Sequence, residues 1–194
     1  MYPTFTLIKK YLQYYVNASN GKGHGVHSPF VYQFIQEVLL DKKAPIEAAL
    51  IETQRANLLA DNSIVNVWDR GAGSRQTKQE QRVVKHIAAA ALKPKKYAQL
   101  LARIVAYFKP ANIIEMGTSL GITTCYLAKA ANGQTVFTME GAPAIAERAK
   151  KTIEALNIQN VQIIEGDFNQ TLPELLQKID TVGLAYIDGN HKYI

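Results

Sequence analysis

Cysteine is almost missing from this chain: Cys125 is the only one. It cannot close an internal disulfide, which excludes a disulfide-stapled scaffold and fits a reducing compartment, with the cytoplasm as the default. Seven prolines and twelve glycines are too few for a collagen-like or low-complexity chain. Aromatic residues make up 9% and are not interleaved with the basic ones as a single-strand nucleic-acid track requires. No apolar run approaches the ~18 to 20 residues that a membrane span needs. Met1-Tyr2-Pro3-Thr4 opens no basic segment followed by an apolar one, so no export signal is expected. What is present is 194 residues, 47% hydrophobic and 20% charged, enough for one domain of ordinary size with an extension and a substantial core.

The net charge of +6 is unevenly spread. Residues 1–109 hold 16 Lys/Arg against 7 Asp/Glu, and residues 110–194 hold 6 against 9. A basic front half can attract an acidic partner. Its charges are scattered, however, as on solvated helix faces.

The front half reads as helical. Phe5, Ile8, Leu12, Tyr15 and Val16 recur near helical spacing, which predicts an amphipathic first helix over 4–17. A loop rich in glycine and histidine, 20–27, leads to Ser28-Pro29, an N-cap and first helical residue for a second helix to about Leu40. Pro45 is expected to open a third helix to Ala60, Thr77-Lys78-Gln79-Glu80 has the capping-box form for a helix through Ala91, and Pro94 starts another ending near Phe108. That gives about five helices and no strong strand signal.

After Lys109-Pro110 the pattern changes. Segments 112–116, 135–139, 161–164 and 182–187 are short apolar runs rich in β-branched residues, which predicts four strands. Helical stretches over 122–131 and 143–156, and a short helix capped at Thr171, separate them. Strands alternating with helices imply an α/β fold with parallel pairing through right-handed crossovers.

The strand ends carry the chemistry. The first runs into Glu115-Met116-Gly117-Thr118-Ser119-Leu120-Gly121 and straight into a helix. Two glycines there let backbone approach a ligand, and the helix N-terminus offers free amides; a plain tight turn with close helix packing asks for the same residues. A dinucleotide fingerprint would need glycines where Ser119 and Ile122 stand, so a nicotinamide cofactor is excluded on spacing. The second strand ends in Glu140, the third in Glu165-Gly166-Asp167-Phe168, and the fourth in Asp188-Gly189-Asn190-His191. In an open parallel sheet these ends share one crevice, where an acid can accept from both ribose hydroxyls and an acid–aromatic pair can flank a purine. His191, three residues after Asp188, has the chemistry of a general base, or of a loop histidine bonded to backbone. His24 and His27 have no neighbouring cysteine or acid for a structural zinc site, and Cys125 sits on an apolar segment that favours burial.

The run Glu115 to Gly121, then Glu140-Gly141, Gly166-Asp167-Phe168 and Tyr186-Ile187-Asp188-Gly189-Asn190-His191, in this order and spacing, resembles the successive motifs of class I S-adenosylmethionine-dependent methyltransferases, in particular the O-methyltransferase-like group. The resemblance covers about residues 94–194. It implies a Rossmann-like parallel sheet of methyltransferase type there, with its first four strands ordered 3-2-1-4, behind a helical N-terminal region over 1–93. It also implies S-adenosylmethionine as cofactor. Glu115, Gly117, Ser119 and Gly121 would line its methionine and ribose portion, and Glu140 with Gly141 would hold the ribose. Asp167 would reach the adenine amino group with Phe168 beside the ring. Asp188 would stand at both the cofactor and the chemistry, with His191 as its catalytic neighbour.

Departures from the family narrow this further. Metal-dependent relatives of the catechol type place a metal-binding Asp where Asp188 stands and a lysine three residues on. Here that offset holds His191 and the lysine is Lys192, so no metal ligand is assigned and a divalent metal is unsupported. The Asn/Asp-Pro-Pro-aromatic motif of nucleic-acid amino-methyltransferases is absent, which disfavours a nucleic-acid acceptor. A strand–helix unit takes roughly 30 residues. Residues 111–194 therefore hold four strands, fewer than the family's full sheet, and a C-terminally truncated domain with an open fourth-strand edge and a homodimer as one way to cover it is expected. The function implied is methyl transfer to an oxygen of a small molecule. The alternative is a noncatalytic nucleoside-binding or interaction module derived from a methyltransferase.

Overall fold

The computed structural model describes residues 28–41, 43, 45–68 and 79–189, together with 5, 6, 8, 9 and 12. It divides into two compact units, Met1–Lys43 and Ala44–Ile194. Residues 44–93 fall in the second unit, with the sheet.

In the first unit, the described residues of the expected first helix, Phe5, Thr6, Ile8, Lys9 and Leu12, are helical. Ser28 caps α1 (Pro29–Phe34), its hydroxyl accepting from Val31 N at 3.4 Å, and Pro29 fills the first turn where no N–H is needed. The helix widens into a π turn over Ile35–Leu39, closed by Leu40 N donating to Ile35 O.

The second unit opens with α2 (Ala49–Ala60), which starts four residues later than Pro45. The front half is then not all helical, which corrects the expectation. Strands β1 (Ile64–Trp68) and β2 (Gln79–Val83) form an antiparallel pair with Ile64 opposite Val83 and Trp68 opposite Gln79. The alternation Ile64-Val65-Asn66-Val67 explains it: Val65 and Val67 are buried while Ile64 and Asn66 face out. Gln79 to Val83 are therefore extended, and α3 (Val84–Ala91) begins only after them with no side-chain cap. Residues 69–78, with the Gly71-Ala72-Gly73-Ser74 run, lie outside the described residues.

Helix α4 (Lys95–Phe108) buries Ala98, Ala102 and Val105, one stripe at helical spacing. It stops at Lys109, whose left-handed backbone (φ 47°) and the following Pro110 forbid another turn. From there the α/β pattern holds: β3 (Asn112–Met116), α5 (Ile122–Ala130), β4 (Thr135–Glu140), α6 (Pro143–Ala155), β5 (Val161–Glu165), α7 (Phe168–Leu176) and β6 (Leu184–Ile187). One boundary moved. Helix α7 starts at Phe168, not Thr171, because the Asp167 carboxylate accepts from Asn169 N at 2.9 Å and caps it earlier, leaving Pro173 inside the helix.

The four strands pair in parallel in the order β5-β4-β3-β6, which is the 3-2-1-4 order that the resemblance implies. Alternate residues face alternate layers. Ile113 and Val136 pack in the larger core with Ala102, Val105, Tyr126, Leu127 and Ile153 from α4, α5 and α6. Ile114 and Met139 pack on the other side with Leu175 and Leu172 of α7. Helix α5 is buried from Ile122 through Ala128, so it is apolar all round and lies inside the unit. No helix among the described residues is long and apolar enough to cross a membrane. Parallel pairing delivers the carboxyl ends of all four strands to one edge.

Candidate functional site

The loop after β3 is built to bring strand ends together. Gly117 (φ 106°) takes a conformation that L side chains rarely adopt, and a Cβ there would lie 3.0 Å from Gly189 N and 3.2 Å from the Asp188 carbonyl carbon. The loops after β3 and β6 are thus in backbone contact, and only glycine fits. Gly117 N and Thr118 N both donate to Met139 O, at 3.0 and 3.1 Å, tying the same loop to β4. Gly121 (φ 81°) caps α5, where a Cβ would meet Ala149 O at 3.2 Å. Close packing of α5 on α6 is therefore sufficient reason for that glycine.

Glu140 closes the loop from the neighbouring strand. Its Oε2 accepts from Ser119 N at 2.9 Å, which Ser119 presents by adopting φ 49°, and its Oε1 accepts from Ala142 N at 3.0 Å. Two backbone amides fix the carboxylate at the crevice, and a carboxylate has acceptor capacity beyond two bonds. Glu140 O also accepts from Gly166 N, carrying the linkage on to β5. Gly141 sits between, where a Cβ would only touch Gly166 O at 3.8 Å. Asp167 caps α7, and the ring of Phe168 lies against Gly189 and packs with the Met116 side of the core.

Glu115 is the buried acid of the group, with no exposed surface. Thr124 and Thr138 hydroxyls donate to its Oε2 at 2.5 and 2.7 Å. Since Thr138 has one proton and gives it to Glu115, the 2.6 Å contact between Thr118 Oγ1 and Thr138 Oγ1 is donated by Thr118. Oε1 of Glu115 has no partner among the described residues. Burial pushes its pKa up to about 7; the two hydroxyls oppose the rise, and the charges of Asp188 and Glu140 add to it.

Asp188 stands at the end of β6, its amide donating to Met116 O at 2.9 Å. Its Oδ1 is 2.7 Å from Lys93 Nζ. Burial, then the Asp188 charge and the hydrogen bond to it, hold the Tyr186 phenol well above its usual pKa. His191, with Asn190 and Lys192, lies outside the described residues, as do His24 and His27. Cys125 is buried and its thiol is pushed up to about 12 by desolvation.

The sequence reading missed Lys93. It sits between α3 and α4, outside any motif, and reaches the crevice only because its backbone is held from behind. Arg55 Nη1 donates to Lys93 O at 2.6 Å, Arg55 Nε lies 3.1 Å from both Glu52 oxygens, and Tyr126 OH donates to Glu52 Oε1 at 2.6 Å. The sole signal was a lysine fixed ahead of Pro94.

A family model described as a methyltransferase domain matches residues 114–194, the stretch that holds all four strand-end motifs. Residues 114–194 are thus similar to a methyltransferase domain. Over 81 residues the chain is 30% identical to a protein-L-isoaspartate O-methyltransferase of Chromobacterium violaceum, covering 42% of this chain and 36% of that protein. The chain spans about a third of the length of the curated relatives it matches. A methyltransferase of Podospora anserina solved with S-adenosylhomocysteine superposes with a TM-score of 0.56 at 14% identity, over 86% of this chain and 62% of that one. An O-methyltransferase from Bacillus cereus, also in complex with S-adenosylhomocysteine, gives 0.51 at 22% identity, over 82% and 60%. At these identities the likeness bears on the fold alone, which is Rossmann-like.

Proposed function

We propose that this chain binds S-adenosylmethionine at the carboxyl edge of the sheet and transfers its methyl group to an oxygen of a small molecule. The observation that carries the reading is the Glu140 carboxylate, locked by Ser119 N and Ala142 N across the glycine turn at the junction of β3 and β4. It gives a fixed acceptor where the ribose hydroxyls of a nucleoside would lie. The donor set fits the ligand. Glu115, Glu140, Asp167 and Asp188 are all acceptors, and the ligand presents two hydroxyls, an adenine amino group, an ammonium and a sulfonium as donors or cations, beside one carboxylate. The partnerless, buried Oε1 of Glu115 is a further acceptor of this kind. When bound, S-adenosylmethionine supplies a methyl group on sulfur that an acceptor oxygen can displace in line. The protein's part is positioning: Gly117 admits the ligand to the backbone, Glu140 and Asp167 orient the nucleoside, and Asp188 faces the reacting end.

Oxygen as the acceptor atom is supported by the names of the relatives: the Chromobacterium violaceum protein is a protein-L-isoaspartate O-methyltransferase and the Bacillus cereus structure an O-methyltransferase. The crevice and not the composition supports a nucleoside ligand. Calorimetric titration with S-adenosylmethionine and S-adenosylhomocysteine tests it. Saturable binding of both is expected, and no binding to the folded protein refutes the reading.

A further inference from the structure

The two oxygens of Glu115 are treated differently by their neighbours. Oε2 accepts from the Thr124 and Thr138 hydroxyls, at 2.5 and 2.7 Å, and so uses both of its lone pairs. When the acid is neutral its proton therefore sits on Oε1, the oxygen with no partner among the described residues. Neither form is fully satisfied. The neutral acid leaves one buried hydroxyl unbonded, whereas the carboxylate leaves a whole charge with no exposed surface, which costs more. The charges that bear on it are Asp188, at the end of β6 and paired with Lys93, and Glu140, at the end of β4; both oppose ionisation. Tyr186 on β6 and Cys125 on α5 also lie in its field, and burial keeps each of them protonated.

We propose that Glu115 is the residue by which this chain tells S-adenosylmethionine from S-adenosylhomocysteine: protonated on Oε1 in the ligand-free protein, it gives up that proton when a sulfonium arrives and keeps it when the ligand carries a thioether. This rests on the reading of the crevice as an S-adenosyl site. The O–H bond breaks, its electron pair stays on Oε1 and the proton passes to solvent. No contact between carboxylate and ligand is required. S-adenosylmethionine brings one net positive charge to an acidic edge, and across a separation of about 8 Å such a charge lowers a carboxyl pKa by roughly 1 to 2 units. S-adenosylhomocysteine, a zwitterion with no net charge, brings none. Methyl transfer turns the sulfonium into the thioether, so Glu115 then takes a proton back and the hold on the product weakens. Thr138 is the positioning residue. It gives its hydroxyl hydrogen to Oε2 and accepts from Thr118 of the glycine turn, so it fixes which oxygen holds the proton and ties that choice to the turn.

The test is calorimetric titration of the full chain with each ligand in buffers of different ionisation enthalpy, which counts the protons released on binding. Glu115→Gln removes the titrating group, so each result is read as parent minus that variant. With the Glu115 pKa at about 7, S-adenosylmethionine should release about half a proton near pH 7 and about a tenth near pH 8, and S-adenosylhomocysteine much less at both. The affinity ratio of the two ligands should rise about 5- to 10-fold from about pH 6 to about pH 8. Thr138→Val, which strips one hydroxyl from the carboxylate, should move the release to higher pH, and Thr138→Ser should bring it back. Release that is the same in parent and Glu115→Gln, or that Thr138→Val leaves in place, overturns the inference while the crevice reading, which needs only binding, stands. If the folded parent binds neither ligand, both readings fall. Far-ultraviolet circular dichroism of each variant separates loss of fold from loss of proton release, and the two Thr138 variants carry the test should Glu115→Gln not fold.

Discussion

Replacing Glu115 by Gln should flatten a pH dependence of stability that the parent protein carries. The group has no exposed surface, and its pKa of about 7 stands well above the ordinary 4.5 because burial disfavours the charged form. Below about pH 4.5 the acid is neutral in both folded and unfolded chains, and its contribution to stability is fully present. As the pH rises towards 7 the unfolded chain ionises first, so the folded state binds the extra proton and that stability is lost. A separation of about 2.5 units corresponds to on the order of 3 kcal/mol. Gln keeps one oxygen to accept from Thr124 and Thr138, while its amide sits unpartnered where Oε1 was. That second effect is a cost that does not change with pH. Urea unfolding of parent and variant between about pH 5 and pH 8 therefore reads the charge from the slope of the difference, not from its offset. The parent's advantage over the variant should shrink by about 2 to 3 kcal/mol across that window. A difference that stays flat, or grows with pH, would show that Glu115 is not held as a buried, destabilised carboxylate.

Other outcomes follow from the same geometry. Gly117→Ala should cost about 2 kcal/mol or more in urea unfolding, because it adds a clash with the Gly189 backbone to an unfavourable φ. Gly133→Ala, at φ 92° with nothing within 4 Å, should cost only about 1 kcal/mol, and equal losses at the two sites would count against the loop contact. Glu140→Ala should weaken S-adenosylhomocysteine binding by about 1.5 to 3 kcal/mol in a calorimetric titration, since the bonds lost are to a charged acceptor. Affinity equal to the parent's would remove Glu140 from the site. Cys125, buried with its thiol pushed up to about 12, should resist a thiol-directed reagent at about pH 8 in the folded protein and react once unfolded. Rapid labelling of the native chain would contradict its placement in α5.

How much of this was readable in the sequence depended on whether the governing contacts were local. Strands β3 to β6 were visible because short β-branched runs alternate with helical stretches, and their order was what the resemblance implies. Helix α4 was visible from Pro94. The hairpin β1–β2 was not, because Thr77-Lys78-Gln79-Glu80 offers a helix start that the pairing of Gln81 with Asn66 overrides. The alternation of Val65 and Val67 was the available signal. In the site, Glu140 was legible as a strand-end acid, whereas its two amide partners depend on Ser119 adopting φ 49°, a tertiary choice. Lys93 was illegible. Its distance from Asp188 is set by Arg55 holding a carbonyl 38 residues away in the chain, which no spacing rule anticipates.

Hydrogen exchange measured with and without S-adenosylhomocysteine tests most directly that the nucleoside binds at the strand-end crevice. The account predicts slowed exchange at the amides of the loops after β3, β4 and β5, residues 117–121, 140–142 and 166–169, with the outer faces of α2 and α6 unchanged. Binding that protects those outer faces and leaves the three loops exchanging as before would contradict it.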